Sequence, residues 1–295
     1  MNPIRNLYDS LPVRVRNQIR SSLPDQFLRW YAHKNTDVYL LSYPKCGRTW
    51  LRLMIGKVIV QHFMLPEDED ILFLRDRQKL PPAVPRITVV HDDRPMLKSP
   101  DKLKATKTRY GDKKLIFLVR DPRDVIVSSF FEMKNRAYIF GDNPYETRRA
   151  IFEGSLSEFI NREEGGFDTI LRYYNIWAAN RHIPKDFLLV RYEDINANPH
   201  NELRRVVNFL GLQVVSDEVI ANAVKYASFD NMHRMEANQK FHTSILKPAD
   251  KADINSYKTR KGKVRGFTDN LTKDEIEALN RKLDEQLTDY YGYKP

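Results

Sequence analysis

Val38 to Leu41 form an unbroken apolar run that feeds straight into YPKCGRTW (Tyr43–Trp50), and the apolar pattern resumes at once through Leu51, Met54 and Ile55. A loop this short, basic and small-residued, set between a strand and a helix, confines the chain to folds in which a strand end opens onto a helix N-terminus. Asp37–Tyr43 is thus a strand candidate, and Arg86–His91, Lys114–Arg120 and Phe187–Arg191 join it. All are too continuous for one-sided sheets, which points to a parallel sheet covered on both faces. Helical stretches lie between them: Thr49–Phe63, Pro122–Lys134, roughly Ser157–Asn180, and Asn201–Leu210. This alternation predicts one doubly wound α/β domain over residues 1–295, its central parallel sheet flanked by helices. Near the C-terminus, Thr272 and Glu275 form a capping box, and Ile276, Leu279, Leu283 and Leu287 share one stripe, predicting a packed surface helix.

The first 35 residues read as helical and basic, with Arg14, Arg16, Arg20 and Arg29 beside Val13, Ile19, Phe27 and Trp30. The expected arrangement is an amphipathic helix packed on the domain; the alternative is contact with an anionic membrane surface. Tyr138–Gly166, rich in Gly, Asn, Glu and Arg, reads as an insertion or lid. No run of 18 apolar residues exists to span a membrane, and the N-terminus lacks the apolar core of a secretory signal. A single cysteine, Cys46, excludes an internal disulfide and fits a reducing cytoplasm. With 49 Lys and Arg against 39 Asp and Glu, the net charge is +10, which favours anionic partners. The basic residues are spread along the chain without interleaved aromatics, so nucleic acid is not the expected partner.

A helix N-terminus leaves backbone N–H groups unpaired and carries partial positive charge. YPKCGRTW adds what a phosphate-sized anion needs. Pro44 fixes the turn, Gly47 lets the backbone approach, Thr49 offers a hydroxyl, and Lys45 and Arg48 neutralise charge. The chain has neither G-x-x-x-x-G-K-[ST] nor GxGxxG, so the cradle is of neither common nucleotide-binding kind. A nucleoside-phosphate kinase is correspondingly disfavoured.

The loop resembles the YPKSGTTW loop of the cytosolic-type sulfotransferases, which grips the 5′-phosphosulfate of 3′-phosphoadenosine 5′-phosphosulfate (PAPS). Two further segments follow in the same order. LIFLVRDPRDVIVSSFF resembles the family's 3′-phosphate motif, implying that Arg120 and Ser128 bind that phosphate; the planar arginine fork suits phosphate oxygens. RKGKVRGF resembles the RKGxxG signature, implying that Arg260, Lys261 and Gly262 close over the same group. Arg265, Gly266 and Phe267 stand where the family has Gly-Asp-Trp, and Cys46 stands in the loop where it has serine. The resemblance also implies that Trp50, Tyr192 and Phe229 surround the adenine, a ring that aromatic stacking holds well.

Sulfuryl transfer, like phosphoryl transfer, is an in-line displacement that asks the protein for alignment, charge stabilisation and removal of a proton. Lys45 is the natural group for the leaving phosphate. His91 lies at a strand end in RITVVHDDRP, where an open α/β sheet exposes its ligand crevice, and it corresponds to the family's catalytic histidine. The lysine that often precedes that histidine by two residues is Val89 here, so its assisting role is either lost or taken over by Lys98 or Lys107. No two-histidine or multi-carboxylate spacing suggests a metal. The expected activity is transfer of a sulfuryl group from PAPS to a hydroxyl of a small-molecule, carbohydrate or lipid acceptor. The alternative is a catalytically degenerate protein that binds PAPS or its product 3′-phosphoadenosine 5′-phosphate (PAP). No segment matches the family's C-terminal dimer motif.

Overall fold

The computed structural model describes residues 25–75, 79–136, 151–212, 214–242 and 244–295. Most of the N-terminal basic segment, and Tyr138 to Ala150 of the expected insertion, lie outside the described residues. Four strands, β1 (Val38–Ser42), β2 (Ile87–Val90), β3 (Lys114–Val119) and β4 (Asp186–Arg191), form one sheet in the order β2-β1-β3-β4. Every pairing is parallel, with Leu40 opposite both Val89 and Ile116. The inner strands are buried almost throughout, as continuous apolar runs between two helical layers require. The chain steps from β1 to β2 on one side, then returns to β3 on the other. That reversal places a topological switch point at the C-terminal ends of β1 and β3, where such sheets bind ligands.

The helices are α1 (Asp25–Lys34), α2 (Arg48–His62), α3 (Glu69–Leu72), α4 (Pro122–Asn135), α5 (Leu156–Asn161) and α6 (Phe167–Ala179). After β4 come α7 (Tyr192–Ala197), α8 (Pro199–Phe209), α9 (Asp217–Tyr226), α10 (Phe229–Ala237) and α11 (Lys273–Gln286). Short 3-10 turns fill several connections. α11 begins with the expected box: Thr272 accepts from the Glu275 N–H while the Glu275 carboxylate accepts from the Thr272 N–H. Leu279, Leu283 and Leu287 are buried from it, and Ile276 packs at the edge of the core.

One expected helix is two. Ser157–Asn180 breaks between α5 and α6, because Gly165 donates to the Lys98 carbonyl and passes so close to Met96 that a Cβ there would lie 2.5 Å from its carbonyl oxygen. The Gly165-Gly166 pair is the turn signal in the sequence for this break, outweighing the apolar periodicity that runs across it. The face of α6 brings Tyr173, Tyr174 and Trp177 onto Phe117 of β3, forming an aromatic cluster under the switch point. No helix among the described residues is long and apolar enough to cross a membrane.

Candidate functional site

Tyr174 ties the two switch-point loops together. Its hydroxyl donates to the Arg120 carbonyl (2.8 Å) and accepts from the Arg120 N–H (3.1 Å), and it lies 3.4 Å from the Cys46 thiol. Above it opens a cavity of about 590 Å³, within the range of roughly 300–1,000 Å³ usual for small-ligand sites. Nine Lys and Arg side chains line it against two carboxylates, Asp124 and Glu132. Such an excess in a partly enclosed space is built for an anion carrying several charges.

The β1–α2 loop supplies one wall through Lys45, Gly47, Arg48, Thr49 and Trp50. Of the site residues expected from the sequence, Cys46 alone does not line the cavity. Its side chain turns into the core, and burial pushes the thiol up to about 12, opposed by Tyr174 and Arg120. It acts there as a small neutral filler, so at this position the loop offers a ligand only backbone. Gly47 is left-handed at φ +88°, and a Cβ on it would lie 2.6 Å from the Tyr192 ring. Gly47→Ala is therefore expected to cost at least ~1–2 kcal/mol for the backbone alone and to displace Tyr192. A Tm fall of several degrees together with weakened PAP binding, by thermal scan and calorimetry, checks this.

Arg120 leaves the end of β3 and points into the cavity. It donates to the Lys263 carbonyl at 3.0 Å, lies 3.4 Å from Asp124, and sits over the Tyr192 ring at 4.3 Å. Ser128, on α4, lines the same wall. Asp124 links this corner to the C-terminal loop by accepting from the N–H groups of Arg265 (3.0 Å) and Phe267 (2.9 Å). Phe267 is buried beneath Arg123, so the loop is anchored without the family's tryptophan. Arg260, Lys261 and Gly262 close the cavity from that side, Arg260 lying over Phe131 at 3.8 Å. Gly262, at φ +61°, packs so tightly on Phe229 that a Cβ would approach its ring to 2.3 Å. Trp50 meets Tyr192 edge-on at 5.6 Å, and with Phe229 they form the aromatic part of the lining.

His91 follows β2 directly and faces the same space. Its Nδ1 lies 3.0 Å from the Ser42 carbonyl, so Nδ1–H is the donor, and its Nε2 lies 2.6 Å from Arg48 Nη2. The two lysines named as substitutes for the one missing at Val89 are each engaged by a carboxylate. Lys98 is bound to Asp93, and Lys107 is buried against Asp92 at 2.8 Å. The carboxylates that follow His91 in sequence capture both. Arg48 is the cation at the histidine instead.

Sequence reasoning missed the floor of the cavity. Lys45 Nζ is 2.6 Å from Glu132, which also faces Arg136 at 3.2 Å; Arg136 in turn meets Glu236 at 3.1 Å. Glu236 accepts from the Lys258 N–H (2.7 Å), the Thr259 N–H (2.9 Å) and the Thr259 hydroxyl (2.7 Å). Burial holds the Lys45 ammonium below its ordinary value, opposed by Glu132, and pulls Lys258 down to about 7. Burial pushes Glu132 up, but Lys45, Lys258 and Arg136 together outweigh it and hold the carboxyl well below its usual range. Only the i,i+4 spacing of Glu132, on α4, and Arg136, its C-cap, signalled any of this.

Comparison with known proteins bears on the whole arrangement. Flavonol 3-sulfotransferase of Flaveria bidentis is 26% identical over 271 residues, covering 87% of this chain and 83% of its own. Cytosolic sulfotransferase 12 of Arabidopsis thaliana is 24% identical, covering 86% and 78%. A mouse sulfotransferase crystallised with PAP shares the fold at TM-score 0.57 and 21% identity, over 85% of this chain and 84% of its own. A retinol dehydratase complexed with retinol and PAP does so at TM-score 0.58 and 18% identity, over 86% and 82%. The sulfotransferase domain matches residues 35–291, which takes in all four strands and every wall of the cavity, and the chain belongs to that family.

Proposed function

We propose that the protein is a PAPS-dependent sulfotransferase acting on a hydroxyl acceptor. The observation that carries this reading is convergence. Loops from β1 and β3 and the segment at Arg260 line one cationic cavity, and an imidazole with its lone pair on Nε2 faces the same space. The residues suit the donor. Arg48 Nη1 and Arg120 Nε are buried donors with no hydrogen-bond partner among the described residues, and Gly47 and Gly262 give close backbone approach. Lys45, Arg48 and Thr49, with the loop backbone and Cys46 only through its N–H, would hold the phosphosulfate. Arg120, Ser128, Arg260 and Lys261 would hold the 3′-phosphate, and Trp50, Tyr192 and Phe229 the adenine.

The donor supplies a sulfuryl group on a mixed anhydride. His91 Nε2 takes the proton of the acceptor hydroxyl as that oxygen bonds to sulfur. The bond from sulfur to the bridging phosphate oxygen breaks, and Lys45 stabilises the charge left on that phosphate. Fixed cations meet the charge requirement without a metal ion.

The flavonol named for one relative, and the retinol bound in one structural neighbour, support a small-molecule hydroxyl acceptor. Carbohydrate or lipid acceptors remain within the proposal. So do a single domain over the whole chain, a cytoplasmic setting in line with relatives named cytosolic, and roles for the N-terminal segment and residues 138–166 at the acceptor side. The test is transfer of radiolabelled sulfate from PAPS across an acceptor panel, run beside calorimetry with PAP. Labelled product supports the reading. PAP binding with no transfer to any acceptor would favour the degenerate alternative.

A further inference from the structure

The pairing of Arg48 with His91 is not accounted for by anion binding at the loop. We propose that Arg48 is a positioning residue: it holds His91 in the tautomer able to take a proton, and covers Nε2 until an anion at the β1 loop draws the guanidinium away. The inference rests on His91 as the base in the function proposed above.

Two partners fix the same tautomer. A carbonyl only accepts, so the Ser42 carbonyl at 3.0 Å assigns the proton to Nδ1; a guanidinium only donates, so Arg48 at 2.6 Å assigns the lone pair to Nε2. The backbone is held as well, since the Tyr173 hydroxyl donates to the His91 carbonyl at 2.7 Å. Nε2 has one lone pair. It cannot accept from Arg48 and from an acceptor hydroxyl together, so the pair is a resting arrangement from which Arg48 must withdraw.

The surroundings favour withdrawal when an anion arrives. Arg48 makes no ion pair with a carboxylate among the described residues, and its Nη1 is buried without a hydrogen-bond partner. Lys45 is engaged by Glu132, Arg52 on the next turn of α2 by the Phe73 carbonyl, and Arg94 lines the cavity beyond β2. Asp92 is occupied by Lys107, Arg109 and the Tyr110 hydroxyl. An oxyanion at the loop therefore offers Arg48 a charged, bidentate partner in place of one neutral nitrogen. The base is exposed only when donor is present, so donor binding precedes productive acceptor binding.

Long-range proton–nitrogen NMR of the histidine rings tests this, with His91 assigned by the signal lost in His91→Gln. In the free protein His91 should show the Nδ1–H tautomer with a hydrogen-bonded Nε2. Arg48→Met should shift Nε2 to its unbonded position and mix the tautomers, while Arg48→Lys should retain the wild-type signature in part. PAP should move the wild-type Nε2 signal toward that of Arg48→Met, and leave Arg48→Met itself little changed. Identical His91 signals in wild type and both variants, or PAP that binds without moving them, overturns the proposal with the sulfotransferase reading intact. PAP that does not bind sinks that reading and the release step, and the free-protein spectra still decide what holds the ring.

Discussion

His91→Ala is expected to lower sulfuryl transfer by about 10²–10⁴-fold while leaving PAP affinity close to wild type. The imidazole lies against the Ser42 carbonyl and Arg48, and of these only Arg48 belongs to a wall assigned to the donor. Its loss removes the proton acceptor and frees one arm of Arg48, which can only help an anion bind. Single-turnover kinetics with saturating PAPS, alongside calorimetry with PAP, separates chemistry from binding. Comparable turnover in the variant would refute the assigned role. A parallel collapse of PAP binding would instead place His91 among the binding residues.

The second large effect is on folding. Arg136 is 1% exposed and stands between Glu132 and Glu236, the latter fully buried. Arg136→Met keeps much of the volume but strands two buried carboxylates, and removing one member of a buried ion network typically costs about 3–5 kcal/mol. A Tm fall on the order of 10 °C should follow. A change under about 1 kcal/mol would show that Lys45, Lys258 and Thr259 satisfy both carboxylates without it. The same network sets an acid limit. Glu132 is held below its ordinary value in the folded protein, so its stabilising contribution is complete above about pH 4.5 and drains away as pH falls through the folded value. Acid denaturation curves of wild type and Glu132→Gln should therefore differ fully above that pH and converge only as pH falls to the folded value.

What sequence could reveal followed the range of the interactions. The four strands, the β1 loop and the α11 cap are local, and each signal lies within a dozen residues, so each appears close to its expected bounds. Arg120, Ser128 and the Arg260 segment were linked to the loop only through family resemblance, and the structure brings them to one cavity. Long-range electrostatics was invisible. Nothing in the spacing of Glu132, Glu236 and Lys258 shows that they meet, or that Asp93 and Asp92 engage Lys98 and Lys107. Arg48 was read as an anion ligand. Its place at His91 follows from β1 and β2 being neighbours in the sheet, which sequence order does not state.

The central claim is that one bisphosphorylated adenosine fits the cavity formed where β1 and β3 end. Thermal unfolding with and without PAP tests it most directly. At about a hundredfold above Kd, PAP should add roughly 2.7 kcal/mol and raise Tm by about 5 °C, while adenosine 5′-phosphate, lacking the group that Arg120 and Arg260 would hold, raises it far less. No shift with PAP at millimolar concentration, or equal shifts with both nucleotides, would contradict the account.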